Sequence, residues 1–70
     1  MNYLVLELQT TNGVTSSLTY QFNELPLAEQ KYYLTLASAA ISEVDVHSAV
    51  LLNEVGETLK FDSYNHIQNN

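Results

Sequence analysis

His47 and His66 are the two imidazoles of this 70-residue sequence, and eight carboxylates and a scatter of serines accompany them. A zinc site would need ligands at a spacing that brings them together, and nothing in the sequence places the two histidines on one helical turn. His47 starts a strand and reads as a structural histidine, while His66 sits in a polar tail. Glu43 and Asp45 flank Val44 at a helix exit, close enough to hold a cation, but a turn rich in solvated carboxylates accounts for them equally well. Ser16, Ser17, Ser38, Ser42, Ser48 and Ser63 form no nucleophile–base motif in sequence, which leaves open a base brought near one of them by the fold. Gly13 and Gly56 are both used by turns, so no glycine-rich phosphate loop is formed. Cysteine is absent, which removes disulfides, thiolate metal sites and thiol nucleophiles. These residues predict a non-enzymatic chain with no catalytic residues, metal or cofactor, because one helix on four short strands encloses little beyond its own core.

Charge narrows the partners. Two lysines and no arginine stand against Glu7, Glu24, Glu29, Glu43, Asp45, Glu54, Glu57 and Asp62, for a net charge of −6. Nucleic acids and anionic membranes are bound mainly by cations, so both are excluded as direct partners. A basic protein surface is compatible, since attraction to it would raise the encounter rate. Solubility alone also explains such a charge. MNYLVLELQ has an apolar run but no basic flank and contains Glu7, so it reads as a strand rather than a signal peptide. No segment approaches the roughly 18 apolar residues of a membrane helix. A soluble protein of a reducing cytoplasm is expected, folded as one small domain over residues 1–66. A frayed polar tail follows, 67–70, with His66 at its beginning.

The elements that must position these groups follow from periodicity. Asn2 to Gln9 alternates, with Leu4, Leu6 and Leu8 on one face. Val14 to Phe22 alternates Val14, Leu18, Tyr20 and Phe22 against Thr15, Ser17, Thr19 and Gln21. Between them, a two-residue Asn-Gly turn would put the two apolar sets on opposite faces. A three-residue loop, Thr11 to Gly13, pairs Leu6 with Leu18 and Leu4 with Tyr20, and is the register expected here. Asn23 offers a helix N-cap, Pro26 fits a first turn, and Leu27 to Ser42 is rich in helix formers. Tyr33, Leu36, Ala37, Ala40, Ile41 and Val44 form the predicted buried stripe. Val46 to Leu52 and Glu57 to Tyr64 are two further strands joined by the turn Asn53 to Gly56, which pairs Leu51 with Leu59 and Ala49 with Phe61.

The expected fold is α+β, ββαββ, with a mainly antiparallel four-stranded sheet covered on one face by one helix. The order 2-1-3-4 is favoured over 2-1-4-3, because the second and fourth strands are the more polar and suit edges. In this register the face away from the helix carries Tyr3, Val5, Glu7, Val46, Val50, Leu52, Lys60 and Tyr64. A sheet with one helix should show water a polar outer face, so the apolar members suggest a covered surface. The candidate partner-binding residues are Tyr3, Val5, Val46, Val50, Leu52 and Tyr64, together with the carboxylate pairs Glu43 with Asp45 and Glu54 with Glu57.

The start MNYLVLELQT, the run KYYLTLASAAISEVDVHSAVLL and the end GETLKFDSYNH together make the chain resemble a group of short, largely uncharacterised proteins encoded by bacteriophages and prophages of Gram-positive bacteria. The resemblance spans about Met1 to His66 and contains no catalytic motif. It implies action inside a bacterial host cell and no particular mechanism. Two functions fit. One is an acidic protein-binding module that inhibits a host enzyme by occupying a basic surface. The other is a structural or assembly accessory that self-associates, as a homodimer or larger homo-oligomer, through its outer sheet face. Sequestration of a small signalling nucleotide is disfavoured, since only Lys31 and Lys60 could meet phosphates.

Overall fold

A computed structural model describes residues 1–67. Strand β1 (Tyr3–Thr11), strand β2 (Val14–Phe22), helix α1 (Leu25–Ala40), strand β3 (Val46–Asn53) and strand β4 (Thr58–Asn65) follow in that order. The strands form one antiparallel sheet in the order β2-β1-β3-β4, with α1 packed on one face. The α+β class, the ββαββ order and the favoured strand order are therefore those the sequence predicts.

The first hairpin departs from expectation. Asn12 and Gly13 both have positive φ, 53° and 78°, and Thr11 pairs directly with Val14. This is the two-residue turn whose twist matches the strands and which Asn-Gly favours above other pairs. Local turn chemistry thus prevails over matching of apolar sets. Leu6 pairs with Thr19 and Leu4 with Gln21, not with Leu18 and Tyr20. Val5, opposite Tyr20, turns toward the helix instead.

The second hairpin has the expected turn, with Gly56 N–H donating to the Asn53 carbonyl at 3.0 Å and Gly56 at φ 86°. Its pairing starts as predicted, Leu52 with Thr58, and then slips at a bulge. Beyond Leu59, Leu51 faces Lys60 and Val50 faces Phe61, so the expected pairs Leu51–Leu59 and Ala49–Phe61 do not form. A bulge inserts one residue and moves every later side chain to the other face.

Helix α1 starts two residues earlier than predicted, with Glu24 rather than Asn23 at the cap position and Pro26 in the first turn. Its end tightens, Ile41 and Ser42 N–H groups reaching the Ser38 and Ala39 carbonyls at 3.3 Å each. The buried stripe is Ala28, Tyr32, Thr35 and Ala39, so the expected stripe through Tyr33, Ala37, Ala40 and Ile41 is corrected: those four are exposed. Leu36 lies partly buried against the core. The reason is proximity. Small residues at positions 28, 35 and 39 let the helix axis approach the sheet, where Ala28 and Tyr32 meet Val5, Ala49 and Leu51. Thr35 is tolerated there because its hydroxyl donates to the Lys31 carbonyl at 2.8 Å.

The chain end also differs from the expected tail. His66 is half-buried, its backbone N–H donates to the Asp45 carbonyl at 2.7 Å, and its Nε2 lies 2.8 Å from the Ala39 carbonyl. Of residues 67–70, Ile67 is exposed and the other three lie outside the described residues.

Candidate functional site

The chemistry-bearing groups converge on the helix side of the sheet. Register places Glu7 of β1 beside Ala49 and Gln9 beside His47 of β3, with the helix exit above them. His47 Nε2 lies 2.6 Å from Glu7 Oε2, His47 Nδ1 lies 3.0 Å from Ser42 Oγ, and Gln9 Nε2 donates to Glu7 Oε2 at 3.1 Å. Ser42 Oγ also lies 3.2 Å from the Ala39 carbonyl, to which it can donate. Four side chains from two strands and the helix exit are thus tied to one another. Ser42, His47 and Glu7 stand in the order of a nucleophile, base and orienting carboxylate, but the ring is buried and the Ser42 hydroxyl also has the Ala39 carbonyl to donate to. No concave pocket opens among the described residues, and no group of three or more histidine, aspartate or glutamate side chains gathers there as metal ligands.

The sequence signals only half of this network. His47 is legible as structural, but its partners are 40 residues away in Glu7 and five in Ser42. Only the β1–β3 register connects them.

On the same face, Lys60 of β4 approaches Glu29 at 3.9 Å and the Tyr33 ring at 5.6 Å. The neighbouring Tyr33 phenol holds the Lys60 ammonium above its ordinary range, with Glu29 adding to it. Burial pushes the Tyr32 phenol up, helped by the Asp62 carboxylate and by Tyr33. Lys31 Nζ sits 4.0 Å over the Tyr20 ring.

Among the described residues, the strands carry no charged side chain on the opposite face. Leu4, Leu6 and Leu8 of β1, Val50 and Leu52 of β3, and Phe61 of β4 form its apolar middle, with Phe61 63% exposed. Around them lie only uncharged polar side chains: Thr15, Ser17, Thr19 and Gln21 of β2, and Ser48 donating to Ser63 at 2.9 Å. Thr10 and Thr15 hydroxyls meet at 2.7 Å near one end. An apolar centre, depleted of charge and rimmed by hydroxyls and amides, is the anatomy of a protein interface.

The predicted partner-binding residues divide accordingly. Val46, Val50 and Leu52 are on the outer face. Tyr3, Val5 and Tyr64 are not: Val5 is fully buried in the core, Tyr3 packs against it, and Tyr64, opposite His47, stacks on His66. Glu7 and Lys60, also expected outside, face the helix. Leu4, Leu6, Leu8 and Phe61 take their places, and the signal for the first three is the Asn-Gly dipeptide.

The carboxylate pairs do not form one patch. Asp45 accepts the Asn12 N–H at 2.9 Å, which fixes Glu43 and Asp45 near the first hairpin turn. Glu54 accepts the Asn2 N–H at 2.7 Å, and Glu57 N–H donates to Asn53 Oδ1 at 2.9 Å, at the other end of β1. Strand β1 separates the pairs by roughly 30 Å. Protein-family models, curated proteins and solved structures give no match to this chain.

Proposed function

We propose that this protein is a non-catalytic binding module that works through its outer sheet face, and that the face is covered by a second copy of the chain. The observation that carries this reading is the absence of charged side chains from that face of the sheet, among the described residues, in a chain of net charge −6. Two such chains repel wherever their carboxylates approach. The outer face is the broad surface on which they can meet without that cost, and its leucines are the groups that gain from leaving water. Docking on a basic enzyme surface is less favoured, because Asp45 and Glu54 already hold backbone N–H groups at opposite ends of the molecule. The burial of His47, and the Ala39 carbonyl to which the Ser42 hydroxyl can donate, support the non-catalytic part. The resemblance to phage-encoded proteins would place the assembly in the cytoplasm of a bacterial host.

Sedimentation velocity over a hundredfold dilution tests the reading, with Leu6→Asp as the variant. Wild-type protein should sediment as an assembly that Leu6→Asp makes smaller, with circular dichroism unchanged. Leu34→Glu, on the exposed side of the helix, should leave the assembly intact. Identical sedimentation of wild type and Leu6→Asp would refute the contact.

A further inference from the structure

We propose that β2 is a pairing edge whose occupant is the β2 strand of a second copy, joined antiparallel about a twofold axis at Leu18. The two edges of the sheet are guarded differently. Strand β4 carries a bulge at Leu59 and the charged Lys60 and Asp62, devices that blunt an open strand. Strand β2, VTSSLTYQF, runs nine residues without charge, proline or bulge.

Its free groups follow from the hairpin. A two-residue turn makes Thr11–Val14 a hydrogen-bonded pair, and bonding alternates from there. Thr15, Ser17, Thr19 and Gln21 therefore direct their N–H and C=O groups away from β1, and all four residues are exposed. One register matches this set to itself: Thr15 with Gln21 and Ser17 with Thr19, each pair twice. It forms about eight backbone hydrogen bonds. In that register Leu18, 51% exposed on the helix side, meets Leu18 of the second copy. No carboxylate or lysine lies on the strand to oppose the pairing.

The contact completes the outer face, and in this respect it rests on the reading of that face as a binding surface. The twofold axis stands perpendicular to the sheet, so both outer faces stay on one side of an eight-stranded sheet. Four strands of about eight residues present roughly 500 Å² in projection. Specific interfaces bury about 800 Å² per partner. Two copies joined at the edge present roughly 1,000 Å² in projection, so pairing the edges doubles the continuous face offered to a partner.

The chain has no cysteine, so a single introduced thiol reports the register. Directly opposed residues of this non-bonded type have Cα atoms about 4.5 Å apart, within disulfide range. Under mild oxidation Leu18→Cys should form a covalent dimer at least about tenfold faster than Ser16→Cys, because two copies of position 16 lie about 13 Å apart along the strands. Thr19→Pro, which removes an outward N–H and no bond to β1, should slow the Leu18→Cys reaction. The reaction should persist when Leu6→Asp is added, which separates the edge contact from the face contact. Equal rates at positions 16 and 18, no cross-linking at either, or cross-linking that Leu6→Asp abolishes would overturn the edge pairing.

Discussion

The two faces of the sheet are built from alternate residues of the same strands, yet they are opposites in chemistry. The helix side gathers the sheet's charges, Glu7, Lys60 and Asp62, and supplies each with a neighbour: His47, Glu29, or a backbone N–H from Ser63. Among the described residues, the outer side has no charged side chain and no element packs over its leucines. A charged side chain is tolerated beside a helix that can pair it, whereas a half-buried apolar row gains stability when the rest of its surface leaves water. The difference teaches that the fold is held from one face, by Val5 and Leu51, and that on the proposed reading Leu6 and Val50 of the other face would meet a partner.

The sharpest way to break that comparison is to truncate adjacent residues of β3. Leu51→Ala removes a fully buried side chain between strand and helix and should destabilise the domain by about 2 to 5 kcal/mol in urea denaturation. Leu52→Ala, one residue on, should cost the dilute domain much less, about 1 kcal/mol or under. Equal costs would mean that the outer face is part of the core.

Next in size is the buried network. His47→Ala leaves Glu7 and Ser42 without their shared partner and should cost about 1 to 3 kcal/mol, since a buried polar group loses its hydrogen bond. Denaturation unchanged by this substitution would show that water replaces the ring freely. Helix approach gives a comparable contrast: Ala39→Leu should destabilise by about 1 to 3 kcal/mol through overpacking, and Ala40→Leu should stay within about 0.5 kcal/mol. A larger effect at position 40 would restore the other helix face.

The smallest effect concerns Tyr32. Its folded-state phenol ionises above the ordinary 10.0, chiefly because it is buried. The neutral form is therefore favoured by folding, and its contribution is fully present below pH 10 and lost as pH rises through the folded value. Thermal melting between about pH 9 and pH 11 should fall less steeply for Tyr32→Phe than for wild type. Parallel slopes would remove Tyr32 from the alkaline response.

Much of the fold is legible in the sequence because its signals are local. Strand alternation, the two glycine turns and the helix-forming run determine element order, and polar β2 and β4 point to the strand order. The facing of residues is harder to read, since it depends on single-residue events. Asn12-Gly13 turns Val5 inward and Leu6 outward, and the extra residue at Leu59 reverses Lys60 and Phe61. The helix face is obscured for another reason: close packing selects Ala28, Thr35 and Ala39, while the larger Tyr33, Leu34 and Ile41 face water. Hydrophobic periodicity therefore points to the wrong stripe. The candidate surface is half legible, with Val50 and Leu52 identified by strand pattern and Leu4, Leu6 and Leu8 hidden by the register.

Methyl NMR spectra recorded as a function of protein concentration test the central claim most directly, because they read both faces in one sample. With self-association through the outer face, the methyl resonances of Leu6, Val50 and Leu52 shift or broaden as concentration rises, while those of Val5 and Leu51 stay fixed. Concentration-independent spectra for Leu6, Val50 and Leu52, or changes centred on the helix residues Leu27 and Leu34 instead, would contradict the account.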